Sequence, residues 1–127
     1  MPEKTITRPT LKGTTADRIR QNYLSLSRAI LSLNAAVLER RLAARKKPRD
    51  PKKRNLIIAI AEGVVSNCRE TIDRGRLLDL ADDLELLAKN YSQVDNPEQG
   101  IEILDTLKGL LSTMQREADK IKPLLKL

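Results

Sequence analysis

Histidine, tryptophan and phenylalanine are absent from this chain of 127 residues, and Tyr23 and Tyr91 are its only aromatic residues. Without histidine the chain lacks the most common general base and the most common metal ligand of proteins, which excludes every catalytic triad that uses it. Because aromatic rings are so few, leucine, isoleucine, valine and alanine must fill the interior. This composition favours helices packed around an aliphatic core.

Cysteine occurs once, at Cys68, so no intrachain disulfide can form and nothing points to an oxidising compartment. A nucleophilic thiol needs an activating base or cation, and the only cation beside it in the sequence, Arg69, points about 100° around a helix from it. We therefore interpret Cys68 as a small buried hydrophobic residue. The five glycines form no phosphate-cradling loop or dinucleotide fingerprint, and we expect neither an enzyme nor a cofactor.

The first residues, MPEKTITRPTLKG, contain no apolar segment of the kind found in signal peptides. No window approaches the roughly 18 apolar residues that a membrane span requires. These features predict a cytoplasmic protein that is neither secreted nor inserted in a membrane.

Residues 1–13 contain two prolines and a glycine without periodicity, and we interpret them as a flexible N-terminal arm. Residues 14–127 are predicted to form a single domain. Thr14 followed by Asp17 resembles a helix N-cap, and the helix that begins there is predicted to run for about 32 residues, until Pro48 approaches. Its core stripe comprises Ile19, Tyr23, Leu26, Ile30, Leu33 and Val37, flanked by Leu24, Leu31 and Leu38.

A second helix is predicted directly afterwards, because Asp50 can cap it and Pro51 suits its first position. Its segment NLIIAIAEGVVSNC is apolar nearly all round, with Glu62 as the only charge. Such a helix is either the most buried one of a bundle or one shared with a second subunit. Gly75 is predicted to end it near Ile72.

A third helix is predicted from Leu77 to Val94, and a fourth from Pro97 with Asp95 or Asn96 as its cap. Four helices with short connections predict an all-α fold, an up-and-down four-helix bundle. The apolar excess leaves room for a homo-oligomer as well as for a thick single core. The fourth helix carries two apolar stripes, one of Ile103, Leu107, Leu110, Met114 and Ile121, the other of Ile101, Leu104 and Leu111.

The net charge of +7 is local. Residues 40–54 hold nine cations and one acid, whereas residues 79–119 hold ten acids and three cations. Such polarity concerns the partners of a protein rather than its fold. The basic stretch is therefore the first candidate for contact with a partner, and the acidic stretch is the second.

The densest acidic cluster contains Asp79, Asp82, Asp83 and Glu85. Spacings of three and four residues bring Asp79, Asp82 and Asp83 to one face of a helix, where a divalent cation could bind. The leucines that alternate with them favour instead the solvated side of an amphipathic helix, so we expect no metal site. Glu62 is expected at a rim or paired with an arginine rather than as an acid of raised pKa.

The basic stretch opposes local stability where it enters the second helix. A helix dipole stabilises cations at the end of the first helix, but it disfavours Lys52, Lys53 and Arg54 in the first turn of the second by about 0.3–1 kcal/mol each. A helix N-terminus surrounded by cations is a good site for phosphates. Arg8 and Lys12 of the arm are candidate auxiliaries. The candidate nucleic-acid-binding residues are Arg40, Arg41, Arg45, Lys46, Lys47, Arg49, Lys52, Lys53 and Arg54.

The leading hypothesis is therefore a non-enzymatic accessory subunit that contacts the phosphate backbone of DNA or RNA through the basic hairpin between helices 1 and 2. Strong sequence specificity is not expected, since the stretch has no aromatic residue for stacking and no recognition motif. The alternative is a helical adaptor or assembly protein whose basic tip docks on an acidic partner or on residues 79–119 of a second copy. Binding to a membrane surface is disfavoured, because the stretch lacks an apolar face.

Overall fold

The computed structural model of the chain describes residues 14–70 and 75–125. Within these ranges it contains four α-helices and no strand, which confirms the predicted all-α class. The arm predicted for residues 1–13 lies outside the described residues. The helices are α1 (Thr14–Ala43), α2 (Pro51–Glu70), α3 (Gly75–Ser92) and α4 (Pro97–Ile121), followed by a short 3-10 helix, Lys122–Leu125.

Each helix of the bundle packs on its two neighbours in the ring. α1 contacts α2 and α4, and α3 contacts the same two helices, whereas in the described ranges no Cα atoms of a diagonal pair come within 8 Å of each other. Short connections between successive helices make neighbours antiparallel. The connections α1–α2 and α3–α4 therefore meet at one end of the bundle, and this end holds the basic stretch.

The core stripe predicted for α1 is confirmed. Tyr23, Leu26 and Leu33 are buried against the other helices together with the rest of the stripe, except that Ile19 is only half-buried. The flanking row lies at the boundary of the core, because Leu24 is half-buried while Leu31 is 60% exposed. Since neighbouring residues of a helix point about 100° apart, the face that packs on α2 and α4 does not extend to Leu31.

In α4 a single buried row combines members of both predicted stripes. It advances by alternating steps of three and four residues, the spacing that keeps side chains on one face of a helix. Ile103 and Leu110, assigned to the main stripe from the sequence, are half-buried beside this row, and Ile101 is exposed. The buried residues of α4 are Leu104, Leu107, Leu111, Met114, Ala118 and Ile121.

The two predicted helix starts at the basic end are confirmed by their caps. The backbone N–H of Lys53 donates to Asp50 Oδ1 at 3.2 Å, and α2 begins at Pro51. At the start of α4, the N–H of Glu98 donates to Asn96 Oδ1 at 2.8 Å, so Asn96 and not Asp95 is the cap. Each cap satisfies one N–H that would otherwise lack a partner.

One expectation about α2 lies outside the described residues, and another needs correction. The described part of α2 runs to Glu70, the predicted end near Ile72 falls in residues 71–74, which the structure does not describe, and Gly75 belongs to α3. Of the two alternatives for α2, the structure does not bear out the most buried helix of the bundle, because Leu56 is 46% exposed and Ala59 is exposed. Four helices arranged in a ring can cover only one side of each. None of the described helices is long and apolar enough to cross a membrane.

Candidate nucleic-acid interface

Residues 40–54, which we call the basic end, comprise the last turn of α1, the connection to α2 and the first turn of α2. The chain leaves α1 through a tight turn, in which the N–H of Lys47 donates to the carbonyl oxygen of Ala43 at 2.8 Å. The Arg40 guanidinium donates to the carbonyl oxygen of Lys47, seven residues ahead. Two anchors thus hold the connection against the end of α1 and present its side chains outward.

Five cations of the basic end point into solvent. All five side chains are exposed, and none of them has a carboxylate within ion-pair distance among the described residues. They occupy eight consecutive positions, so their charge is concentrated on the connection and the first turn of α2. We call them the free cations: Arg45, Lys46, Lys47, Arg49 and Lys52.

Two other predicted site residues are engaged in ion pairs between helices. Arg41 meets Asp105 of α4 at 2.7 Å, and Lys53 Nζ lies 3.1 Å from Glu39 Oε1 of α1. Exposed pairs of this kind contribute roughly 0–1 kcal/mol to stability. Their main consequence is that both cations are already partly neutralised by the protein.

The structure gives Arg54 a local role. Its side chain is half-buried and donates from Nη1 to the carbonyl oxygen of Val94, at 3.2 Å, in the connection between α3 and α4. Folding therefore accounts for Arg54 by this bond and for Lys53 by its pair with Glu39. Of the three cations that oppose the α2 dipole, only Lys52 has no partner of its own among the described residues.

Arg40 is almost completely enclosed, with 5% of its surface exposed. It lies above Tyr91 of α3, whose pKa is raised by burial, an effect that the positive charge of Arg40 partly offsets. A side chain so deeply placed cannot approach a nucleic-acid backbone from outside. The sequence predicted Arg40 as a surface cation because it lies within the basic stretch, residues 40–54. No sequence signal indicated that Tyr91 of α3 lies beside this stretch.

Arg8 and Lys12, the candidate auxiliaries, lie outside the described residues. The chain enters α1 at Thr14, at the opposite end of a 30-residue helix from the basic end. At 1.5 Å per residue these two points are about 45 Å apart. The basic end therefore has to be assessed on residues 40–54 alone.

Two residues of the acidic cluster of α3 form ion pairs with α2. Arg69 of α2 lies 3.4 Å from Asp82 and 3.2 Å from Glu85, and its hydrogen bond to Glu85 raises its pKa. Among the described side chains no three metal-ligating groups come together. Glu62 is exposed at the edge of a groove between α2 and α3.

Cys68 lies in the core between α2 and its neighbours, with no exposed surface. Burial raises the pKa of the thiol to about 11. The thiolate is the reactive form of cysteine. Burial keeps reagents away from this sulfur, and the raised pKa leaves little of it as thiolate, so we expect it to be unreactive. The structure thus places Cys68 where a small hydrophobic residue is expected.

The buried thiol predicts a slow reaction with thiol reagents. At pH 8 a pKa of about 11 leaves about 0.1% thiolate, whereas an unfolded cysteine near 8.5 has about a quarter, so ionisation alone should slow modification roughly 200-fold. We expect the native protein to react at least that much more slowly than the same protein in guanidinium. Comparable rates in a spectrophotometric thiol assay would contradict the buried placement.

The fold and this site together define an all-α four-helix bundle with a cationic end. No family model matches the chain, and no curated protein or solved structure matches it either. The function therefore has to be argued from the geometry of the basic end.

Proposed function

We propose that this protein is a non-enzymatic nucleic-acid-binding accessory subunit that contacts the phosphate backbone through its basic end. The observation that carries the proposal is the group of five free cations at residues 45–52, which have no ion-pair partner within the described part of the chain. Cations with a folding role are paired or buried, as Arg40 and Arg41 are. Those left over are available to an external polyanion.

The arrangement suits a phosphate backbone better than base edges. Lys52 lies in the first turn of α2, where backbone N–H groups and the helix dipole also favour anions. Lysine and arginine on a short connection can follow successive phosphates, and the accompanying release of counterions favours association regardless of sequence. No aromatic side chain occurs in residues 40–54 to stack on a base.

A protein partner is the second candidate, and exposed leucines favour it. Leu42 is 85% exposed beside the free cations, and Leu31 is 60% exposed further along α1. An adaptor could dock this leucine together with the cations on an acidic protein surface, or on residues 79–119 of a second copy. The two candidates differ in the ligand, since the adaptor needs no nucleic acid.

A salt titration tests the nucleic-acid proposal. If five cations each neutralise a phosphate of duplex DNA, log K falls with log salt with a slope near −4.5, or roughly 500-fold between 50 and 200 mM. We expect this dependence in filter binding for duplexes of unrelated sequence. Parallel titrations with single-stranded DNA and RNA identify the preferred class of nucleic acid.

The proposal fails if the purified chain, free of co-purified nucleic acid, binds none of the three classes at 50 mM salt. Light scattering of the same samples tests the adaptor. Self-association that disappears as salt is raised, in the absence of nucleic acid, favours docking between the basic end and the acidic region of a second copy. A fixed mass across the salt range contradicts that form of the adaptor.

A further inference from the structure

A cavity of about 210 Å³ opens beside the basic end, between the two helix connections. Its walls come from the end of α1, the start of α2, the end of α3 and the start of α4. One water needs about 10–15 Å³ of such space, so the cavity has room for a polyatomic ligand. The polar side chains that matter most in its lining are Arg40, Arg49, Asp50, Arg54, Tyr91 and Asp95.

Two guanidinium groups of this cavity have donors that the protein does not use. Nη1 of Arg40 and Nε of Arg54 are both buried, and neither has a hydrogen-bond partner among the described residues. The donors that are used reach neutral oxygens: the carbonyl oxygens of Lys47 for Arg40 and of Val94 for Arg54, and the Tyr91 hydroxyl beside Arg40. Neutral oxygens satisfy hydrogen bonds but do not neutralise charge.

The cavity is also lined by two carboxylates, and neither of them lies within ion-pair distance of these arginines. Asp50 accepts the N–H of Lys53 as the cap of α2, and Asp95 is exposed. No ion pair joins Arg40 or Arg54 to any carboxylate in the part of the chain that the structure describes. Buried charges in proteins are normally paired, so the unpaired guanidinium groups of buried Arg40 and half-buried Arg54 indicate a site for an anion.

Other groups around the cavity also favour an anion. The first turns of α2 and α4 contribute to its walls, at Pro51 and Pro97, and helix N-termini attract negative charge. The Tyr91 hydroxyl lines the cavity within hydrogen-bonding reach of Arg40, and because burial raises its pKa it stays protonated and able to donate. Arg49, one of the free cations, lines the same cavity from the connection side.

We infer that this cavity is a binding site for a single phosphate group of the monoester or inorganic type. Two guanidinium charges match the double negative charge of such a phosphate, and donors on three separate side chains suit the several oxygens of a tetrahedral anion. A carboxylate offers only two oxygens in one plane, and chloride offers no direction at all. The phosphate is either free, as inorganic phosphate or part of a small molecule, or the 5′-terminal phosphate of a nucleic acid; the latter source depends on the function proposed above.

Inorganic phosphate is the first probe. In a thermal unfolding series against potassium chloride of equal ionic strength, we expect phosphate at about twenty times its dissociation constant to raise the Tm by roughly 7 °C. The Arg54→Gln variant should lose this shift. Tyr91→Phe, which retains the ring in the core, should weaken phosphate binding about tenfold, since a hydrogen bond to a charged group is lost.

A surface variant controls for attraction by the general positive field. Lys46→Gln with Lys52→Gln removes two free cations outside the cavity, and we expect it to retain the phosphate shift. The inference is overturned if phosphate at up to 50 mM stabilises the native protein no more than chloride does. It is also overturned if the phosphate shift persists unchanged in both Arg54→Gln and Tyr91→Phe.

Paired oligonucleotides distinguish the two sources. If the ligand is a terminal phosphate, a single strand with a 5′-phosphate binds at least fivefold more tightly than its 5′-hydroxyl twin, and Arg54→Gln removes the difference. Equal affinities together with stabilisation by inorganic phosphate assign the site to a free phosphate. Salt-dependent binding of both strands without any phosphate effect overturns the cavity site alone. A phosphate shift without oligonucleotide binding overturns the proposed function alone.

Discussion

Replacing Arg45, Lys46, Lys47, Arg49 and Lys52 together with glutamine should lower the affinity of the chain for duplex DNA by about 10⁴-fold at 0.1 M salt. The estimate follows from counterion release, because a slope near 0.9 per neutralised phosphate corresponds to about eightfold in affinity per cation at that salt concentration. Five such contributions multiply. Filter binding at fixed salt measures the loss, and the slope against salt should fall toward zero in the same variant.

A matched control variant separates the basic end from the overall charge. The substitutions Arg28→Gln, Arg76→Gln, Lys89→Gln, Lys108→Gln and Lys122→Gln also remove two arginines and three lysines, all exposed on other parts of the described surface. Both variants have the same net charge, and we expect the control to lose less than tenfold. Equal losses in the two variants would mean that binding follows net charge rather than the basic end.

The same substitutions should leave the fold intact. All five side chains are exposed and contribute no ion pair within the described residues, so their removal breaks no internal contact. Changing Lys52 relieves a charge that the α2 dipole disfavours, worth about 0.3–1 kcal/mol. Circular dichroism should show unchanged helicity, which ensures that a loss of binding reflects charge rather than unfolding.

The helical architecture could be predicted from the sequence because it depends on short-range signals. Apolar residues at steps of three and four place Leu26, Ile30 and Leu33 on one face of α1 wherever the helix packs. Asp50 before Pro51 and Asn96 before Pro97 mark helix starts for reasons confined to one turn. With short connections between the helices, these signals are sufficient for the order of the bundle.

Short-range signals do not predict which apolar residues of a helix are buried, because that depends on the neighbouring helices. Leu31 and Leu56 are exposed, although both belong to apolar patterns of the sequence, because covering them depends on which helices lie nearby. In α4 the buried row combines residues of both predicted stripes and includes Ala118, which neither stripe contained. Gly75 lies at the start of α3, although glycine is more often a residue that follows a helix.

The candidate site was predicted as a run of charge, and the structure divides that run by tertiary contacts. Lys53 meets Glu39, and Arg41 meets Asp105, across helices that the sequence could not orient. Arg40 and Arg54 turn inward because Tyr91 and the α3–α4 connection lie beneath them. The cations that are both exposed and without an ion pair among the described residues are fewer than the nine of the run, and no periodic signal in the sequence distinguishes them from the others.

The largest expected effect on stability comes from the middle of α1. Leu33 has no exposed surface, and replacing it with alanine should lower the free energy of unfolding by about 2–5 kcal/mol through lost burial and the cavity that remains. That is a large share of the roughly 5–15 kcal/mol typical of a domain. Urea unfolding followed by circular dichroism measures the change, and the slope of the transition reports whether the variant still unfolds in two states.

Leu31→Ala is the control, because it makes the same chemical change two residues away on a side chain that is 60% exposed. In a monomer it should alter the free energy of unfolding by no more than about 0.5 kcal/mol. A loss of similar size at both positions would contradict an exposed Leu31 and would mean that another molecule covers this face. Repeating the urea series at a hundredfold higher protein concentration decides the point, because stability that depends on association rises with concentration and stability within one chain does not.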